Sequence, residues 1–189
     1  LATAFDSEQQ GIKKVTNYLE AFSSRTVIVL SLQFLLWNVG VYGFVMWLPT
    51  IIKSVPTMDI VATGWLAAVP YLFAVVGMLN TSYFADRSRS RTHYVWPFLV
   101  IGAIAFYVSY VLGSSHFWLS YACLIIAGAA MYIPYGPFFA LVTELLPRNV
   151  SGGAIGLINS MGALGSFGGA YLVGLLHSWM GDFGGAYLF

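Results

Sequence analysis

Five long segments of the chain contain no Asp, Glu, Lys or Arg. They cover residues 27–52, 60–84, 94–113, 117–142 and 152–176. About 20 predominantly apolar residues suffice for an α-helix to cross the hydrocarbon core of a bilayer. In lipid, every backbone polar group has to be satisfied internally, and a helix does this within one segment. The segments therefore predict an all-α integral membrane bundle.

Composition excludes several other classes of protein. Only 8% of the 189 residues are charged and 59% are hydrophobic, whereas soluble domains contain about 25% charged residues. A net charge of +1 argues against nucleic acid as a partner, because phosphate binding requires a broad basic face. The single Cys123 and three histidines at unrelated loop positions predict no disulfide, metal site or cofactor.

The two ends of the chain differ from the middle. Residues 1–26 hold six charges, and apolar residues at steps of three or four predict an amphipathic helix there. A disordered linker is the alternative. Residues 184–189 begin another apolar run, which we interpret as a truncated sixth span. The transmembrane bundle is thus expected to cover residues 27–189.

Charge distribution predicts the orientation of the bundle. The loop over residues 85–93 carries three arginines between two apolar segments. When the loops are placed alternately on two sides, seven Lys and Arg residues fall on one side and only Lys53 on the other. Cytoplasmic loops hold an excess of such residues. Residues 1–26, 85–93 and 143–151 are therefore predicted to be cytoplasmic, in a multi-pass protein of the cell membrane.

A few polar side chains fall at membrane depth. At about 1.5 Å per residue, Asn38 and Tyr71 lie roughly 16 Å from the ends of their segments, and Asn159 lies roughly 11 Å from its own. An amide in hydrocarbon needs a partner, which is either another helix or a wet cavity. Both readings remain open. Tyr42, four residues after Asn38, shares its helical face.

The fourth segment contains two prolines in its middle. Pro134 and Pro137 each leave a carbonyl one turn earlier without its hydrogen bond and bend the helix. Broken helices at depth line the binding sites of membrane transporters. Tyr132, Tyr135 and Phe139 fall on one face at helical spacing, either toward such a site or as aromatic core packing.

The fifth segment is rich in small residues. Gly162, Ser166, Ala170 and Gly174 recur every four positions, which allows a neighbouring helix to approach closely. We expect helix packing from this stripe, and no ligand contact.

Several short motifs together resemble the Major Facilitator Superfamily, and more narrowly the C-terminal half of its anion:cation symporter family. The motifs are residues 42–43, 47–50, 82–91, 137–140, 144–147 and 158–160. The resemblance covers residues 27–189. It implies helices seven to eleven of a twelve-helix fold and the start of helix twelve, with residues 1–26 as the central cytoplasmic loop.

The resemblance implies a function. Members of such families carry organic anions, sugar acids among them, by H⁺-coupled symport with alternating access around a site between the two halves. The partners would be a small organic anion, H⁺ and the missing N-terminal half, which would also supply the anion-binding cation and the proton-coupling carboxylate. No enzymatic activity is expected. An uncoupled facilitator of a small polar solute and a non-transport membrane subunit or enzyme remain the alternatives.

Site residues follow in two groups. The resemblance implies substrate contacts from Asn159, Tyr42, Tyr135 and Phe138. Four further candidate substrate contacts follow from their depth in the segment and their helical face: Asn38, Tyr71, Tyr132 and Phe139.

The 85–93 loop also resembles a family motif with a conformational role. Asp86, Arg87 and Arg91 match its pattern, whereas Ser82, Arg89 and Thr92 replace its two glycines and last basic residue. The resemblance implies that the matching residues help to hold one conformational state, with Asp86 facing a helix N-terminus. By pseudo-symmetry, the partner of Asp86 would lie in the missing half.

Overall fold

The computed structural model describes residues 22–53, 59–88, 91–113, 116–146 and 148–180, and their regular structure is entirely helical. The helices are α1 (Arg25–Lys53), α2 (Ile60–Arg87), a short 3-10 helix (Arg91–Tyr94), α3 (Trp96–Leu112), α4 (Phe117–Tyr132), α5 (Tyr135–Leu145) and α6 (Arg148–Met180). The all-α prediction is confirmed. The predictions for residues 1–21 and for the apolar run from residue 184 lie outside the described residues.

Four helical stretches in this part of the chain are long and apolar enough to cross a membrane. They are Arg25–Lys53, Ile60–Arg87, Arg91–Leu112 and Phe117–Leu145, and they contain the first four predicted spans. The fifth predicted span lies in α6, which has 33 residues and a length of about 50 Å. It is not among the four, because its eight glycines lower its mean hydropathy.

Local sequence explains where α2 begins and α3 ends. The Asp59 carboxylate accepts a hydrogen bond from the backbone N–H of Ala62 at 2.7 Å, which satisfies one of the free donors of the first turn. Helix α3 ends at Gly113, whose φ is 54°. Glycine adopts this left-handed conformation without steric cost.

Helices α1 and α6 pack with their backbones close together. Gly165 and Gly169 of α6 face the carbonyl oxygens of Leu35 and Val39 of α1, and a Cβ atom at either glycine would collide with that oxygen. Such close approach is typical of small residues in membrane helices. From the predicted small-residue stripe, Ala170 contributes its carbonyl, which accepts a hydrogen bond from the Trp47 indole at 3.1 Å.

Prolines interrupt the hydrogen-bond ladder in the fourth segment and in α2. Helix α4 ends at Tyr132 and α5 begins at Tyr135, so the fourth segment is broken at Ile133 and Pro134. Pro70 in α2 leaves the Leu66 carbonyl without its usual helical partner. The Tyr121 hydroxyl of α4 donates to that carbonyl at 2.7 Å and so ties α2 to α4.

Two apolar clusters place these helices. The larger lies where α1, α5 and α6 meet and includes Phe34, Trp37, Val41, Phe138, Val142, Ala154 and Ile158. The smaller joins α1 to α4 and includes Phe44, Leu48, Ile52, Tyr121 and Leu124. The broken segment is therefore held against α1 on both sides of its break.

Candidate functional site

Three charged side chains meet at one end of the bundle. Arg91 donates to Asp86 Oδ1 at 2.9 Å and to Glu144 Oε1 at 2.7 Å. The Asp86 side chain is 66% exposed, whereas that of Glu144 is 31% exposed. Exposed ion pairs contribute about 0–1 kcal/mol, so the pair with Glu144 is the stronger one. The 85–93 loop and the C-terminus of α5 thus lie at the same end, as alternating loops require.

Asp86 has a partner among the described residues. It accepts a hydrogen bond from Arg91, and the contact expected between Asp86 and the other half of the protein stays a prediction. Arg87 is separate from the pair, with its guanidinium 4.2 Å above the Tyr83 ring, a cation–π contact. Glu144 was not predicted to take part. The available signal was its position as the acidic residue of the second predicted cytoplasmic loop.

A hydrogen-bonded pair lies in the middle of the bundle. The Tyr135 hydroxyl of α5 donates to Asn38 Oδ1 of α1 at 3.2 Å. The Asn38 amide nitrogen donates to the Phe34 carbonyl at 2.8 Å, and Asn38 is only 4% exposed. The sequence left open whether Asn38 bonds to another helix or faces a wet cavity. In the structure it bonds to another helix.

Tyr135 belongs to a group of four tyrosines, which we call the tyrosine row: Tyr42, Tyr71, Tyr132 and Tyr135. The rings of Tyr71 and Tyr132 are 5.7 Å apart between centroids, and those of Tyr132 and Tyr135 stack at 5.7 Å. Tyr42 lies on α1, one helical turn after Asn38, and is 37% exposed. The rings of Tyr71, Tyr132 and Tyr135 connect α2, α4 and α5, and the bond from Tyr135 to Asn38 connects them to α1.

The two phenylalanines of α5 lie differently from the tyrosines. Phe138 is fully buried and stacks on Phe34 at 5.2 Å with nearly parallel rings. A side chain without exposed surface stabilises the core, and this placement does not support the substrate contact predicted for Phe138. Phe139 is half-buried and meets Phe34 edge to face at 5.3 Å.

No hydrogen bond joins Asn159 to the tyrosine row among the described residues. Asn159 is exposed on α6, directly after the fully buried Ile158. One turn later, Gly162 packs against the Phe34 ring and the Asn38 amide. Asn159 therefore lies near the level of Asn38, with its amide available from outside the bundle.

The chemistry of these groups is neutral. The row and the two asparagines offer hydroxyl and amide hydrogen bonds and aromatic faces. Among the described residues, no group of three His, Cys, Asp or Glu side chains is placed to hold a metal ion. The arrangement can bind the hydroxyl groups of an organic molecule, but it brings no cation to neutralise a carboxylate.

A cavity of about 520 Å³ opens on another side of α1. Its lining is mainly apolar and includes Trp37, Trp47, Phe106, Tyr107 and Met131, from α1, α3 and α4. The tyrosine row does not line it.

Comparisons with known proteins agree on one family. The family model described as Major Facilitator Superfamily matches residues 2–170. A quinolone resistance transporter of Acinetobacter baumannii is 31% identical over 165 residues, which is 87% of this chain and 38% of that protein. A putative tartrate transporter of Agrobacterium vitis is 27% identical over 175 residues, or 92% of this chain and 38% of that protein.

A shorter match adds a third name. A probable L-galactonate transporter of Escherichia coli K12 is 34% identical over 65 residues, which is 34% of this chain and 14% of that protein. The chain spans 38% of the length of the first two relatives. No solved structure gives a significant match.

Proposed function

Because the chain belongs to the Major Facilitator Superfamily, we propose that it is part of a secondary active transporter that carries a small organic anion by alternating access. The family and the names of its relatives point to transport rather than catalysis. The chain is a multi-pass membrane segment of about two fifths of the relatives' length, so the activity belongs to the complete polypeptide. We place that polypeptide in the cell membrane, with residues 85–93 and 143–151 on the cytoplasmic side.

The tyrosine row carries the proposal for the substrate. Hydroxyl groups at mid-depth, next to a broken helix, are typical of a transporter binding site. Tartrate and L-galactonate, named for two relatives, are hydroxy acids. We propose that Tyr42, Tyr71, Tyr132, Tyr135 and Asn159 bind the hydroxyl groups of such a sugar acid or related carboxylate.

A carboxylate and a driving ion require charged groups at mid-depth, and the described residues bring none there. Buried ionisable residues are the usual markers of proton pathways, and the described helices carry Asp, Glu, Lys and Arg only near their ends. We propose that residues outside this chain bind the carboxylate and couple its transport to H⁺.

A second candidate substrate is an aromatic carboxylic acid. The relative that is 31% identical is named for quinolone resistance, and quinolones combine a carboxylate with fused aromatic rings. The stacked rings of Tyr132 and Tyr135 can hold such a ring, since aromatic pairs contribute about 0.5–1.5 kcal/mol beyond burial. On this reading the protein exports the acid.

Reconstitution of the full-length protein tests these readings. Proteoliposomes with an imposed pH gradient are given labelled L-galactonate, tartrate or a fluoroquinolone. Accumulation of a hydroxy acid against its gradient, abolished by a protonophore, supports H⁺ symport. Equilibration without accumulation indicates an uncoupled facilitator. Transport of the quinolone alone favours the second candidate, and transport of none of the three contradicts both.

A further inference from the structure

Two consecutive residues of α1 contact the two sides of the break in the fourth segment. The Trp37 indole N–H donates to the Met131 carbonyl at 3.0 Å, near the end of α4. Asn38 Oδ1 accepts from the hydroxyl of Tyr135, the first residue of α5, at 3.2 Å. Trp37 is 7% exposed and Asn38 is 4% exposed. One short stretch of α1 therefore fixes both helices that meet at Pro134.

The break has no continuous backbone hydrogen-bond ladder to fix its angle. Ile133 and Pro134 lie between the helices, and Pro134 has no N–H group to continue the ladder of α4. Helix α5 starts afresh with the bond from the Phe138 N–H to the Pro134 carbonyl at 2.9 Å. Because the hydrogen-bond ladder is interrupted here, side-chain contacts with neighbouring helices, those of Trp37 and Asn38 among them, set the angle between α4 and α5.

The two contacts differ in how they can be released. Trp37 bonds to a backbone carbonyl, which moves only when α4 itself moves. Asn38 bonds to the hydroxyl of a half-buried tyrosine that belongs to the tyrosine row. A ligand oxygen in the row can accept the same hydroxyl proton in place of Asn38.

We propose that Asn38 is a positioning residue that, together with Trp37, holds α5 at a fixed angle to α4. When substrate binds, the Tyr135 hydroxyl donates its hydrogen bond to the substrate and no longer to Asn38. The exchange step rests on the function proposed above. The fixed angle does not, since it follows from the contacts of the bundle itself.

After the exchange, α5 stays attached to the bundle. Phe138 remains stacked on Phe34 in the core, and Gly136 lies against the Ser82 hydroxyl of α2. Loss of the Asn38 contact therefore changes the angle at Pro134 and leaves α5 in place. Substrate binding is converted in this way into bending of one helix.

Distance measurements on the full-length protein in lipid nanodiscs test the fixed angle. Spin labels at Leu119 of α4 and Leu145 of α5, both exposed, report the bend in a background with Cys123→Ser. Tyr135→Phe keeps the ring and removes only the hydroxyl, and Asn38→Leu removes the acceptor. We expect both variants to broaden the distance distribution. The double variant should match either single one, because both remove the same bond.

Asn80→Leu is the matched control. The Asn80 amide donates to a carbonyl of its own helix, Val76, at 2.8 Å, as Asn38 does to Phe34, but Asn80 is exposed on α2. This variant should leave the distribution unchanged. An unchanged distribution in Tyr135→Phe, whose core packing is intact, would overturn the fixed angle whatever the protein carries.

Transport and binding measurements test the exchange. Asn38→Leu frees the Tyr135 hydroxyl for the substrate, so we expect the KM for L-galactonate to fall about fivefold, the effect of one neutral hydrogen bond, while the maximal rate falls. A purely structural role lowers the amount of folded protein and does not tighten binding. Addition of L-galactonate should also broaden the wild-type distance distribution, but not that of Tyr135→Phe. A KM that is unchanged or higher in Asn38→Leu overturns the exchange and leaves the transport proposal standing.

Discussion

Asn159 is an exposed polar residue of α6, three positions before Gly162, which packs on Asn38. Because its amide is accessible, its replacement leaves no buried group without a partner. We expect Asn159→Ala to raise the KM for L-galactonate about tenfold, as loss of a hydrogen bond to a charged or polyol oxygen does. The melting temperature should not change. Uptake kinetics and thermal unfolding of the full-length protein measure the two effects.

The matched control for this variant is Asn80→Ala, an exposed asparagine on α2 away from the tyrosine row. It should leave KM unchanged. Equal effects of Asn159→Ala and Asn80→Ala would contradict a substrate contact for Asn159.

A shared level along the bundle could be predicted for some residues, but the direction of their side chains could not. Counting along the segments placed Asn38 and Tyr71 at mid-depth, and Tyr71 and Tyr132 are in ring contact. A substrate contact for Phe138 was implied by the family resemblance, which does not show whether the side chain is buried. The break at Pro134 resets the rotation of α5, so periodicity across the proline does not tell which face of α5 meets α1.

Two consecutive glycines of α6 differ in what surrounds them, and only one of them lies in the contact with α1. A Cβ atom at Gly169 would collide with the Val39 carbonyl, whereas a Cβ atom at Gly168 has open space around it. We expect Gly169→Ala to destabilise the protein by about 1–3 kcal/mol, the usual cost of overpacking. Thermal unfolding followed by tryptophan fluorescence measures this change.

Gly168→Ala provides the control at the adjacent position. It should be neutral or stabilising by about 0.5–1 kcal/mol, since alanine loses less backbone entropy than glycine in a helix. If both variants had the same melting temperature, close backbone approach would not be what holds α6 to α1.

Helices that are marked by a strong local sequence pattern could be predicted, whereas contacts that depend on the position of a neighbouring helix could not. Charge-free length predicted the first four spans, because an apolar run needs no partner to be recognised. The small-residue stripe correctly indicated packing of the fifth segment. The two closest contacts, at Gly165 and Gly169, fall outside that four-residue repeat, because their positions depend on where the carbonyl oxygens of α1 lie.

The complete bundle brings together charges that are far apart in the chain. Residues 85–93 and 143–151 were predicted on one side by counting loops, and Arg91 and Glu144 do lie at one end. Their pairing could not be predicted, because nothing local to either residue indicates the other. The same holds for Asn38 and Tyr135, which are 97 positions apart.

The ion pairs of Arg91 join the loop between α2 and α3 to the end of α5, and we propose that they affect the equilibrium between conformations of the complete protein. The substrate contacts proposed above involve other residues, which carry no charge. We therefore expect Glu144→Gln to change the maximal transport rate at least threefold while KM stays within about twofold, since an ion pair of partial exposure contributes of the order of 1 kcal/mol.

Asp86→Asn should act in the same direction and more weakly, because Asp86 is 66% exposed. Uptake kinetics of the full-length protein measure both variants, with Arg87→Gln as the control outside the ion pairs. A change in KM as large as the change in rate would mean that these charges act on the binding site and not on the conformational equilibrium.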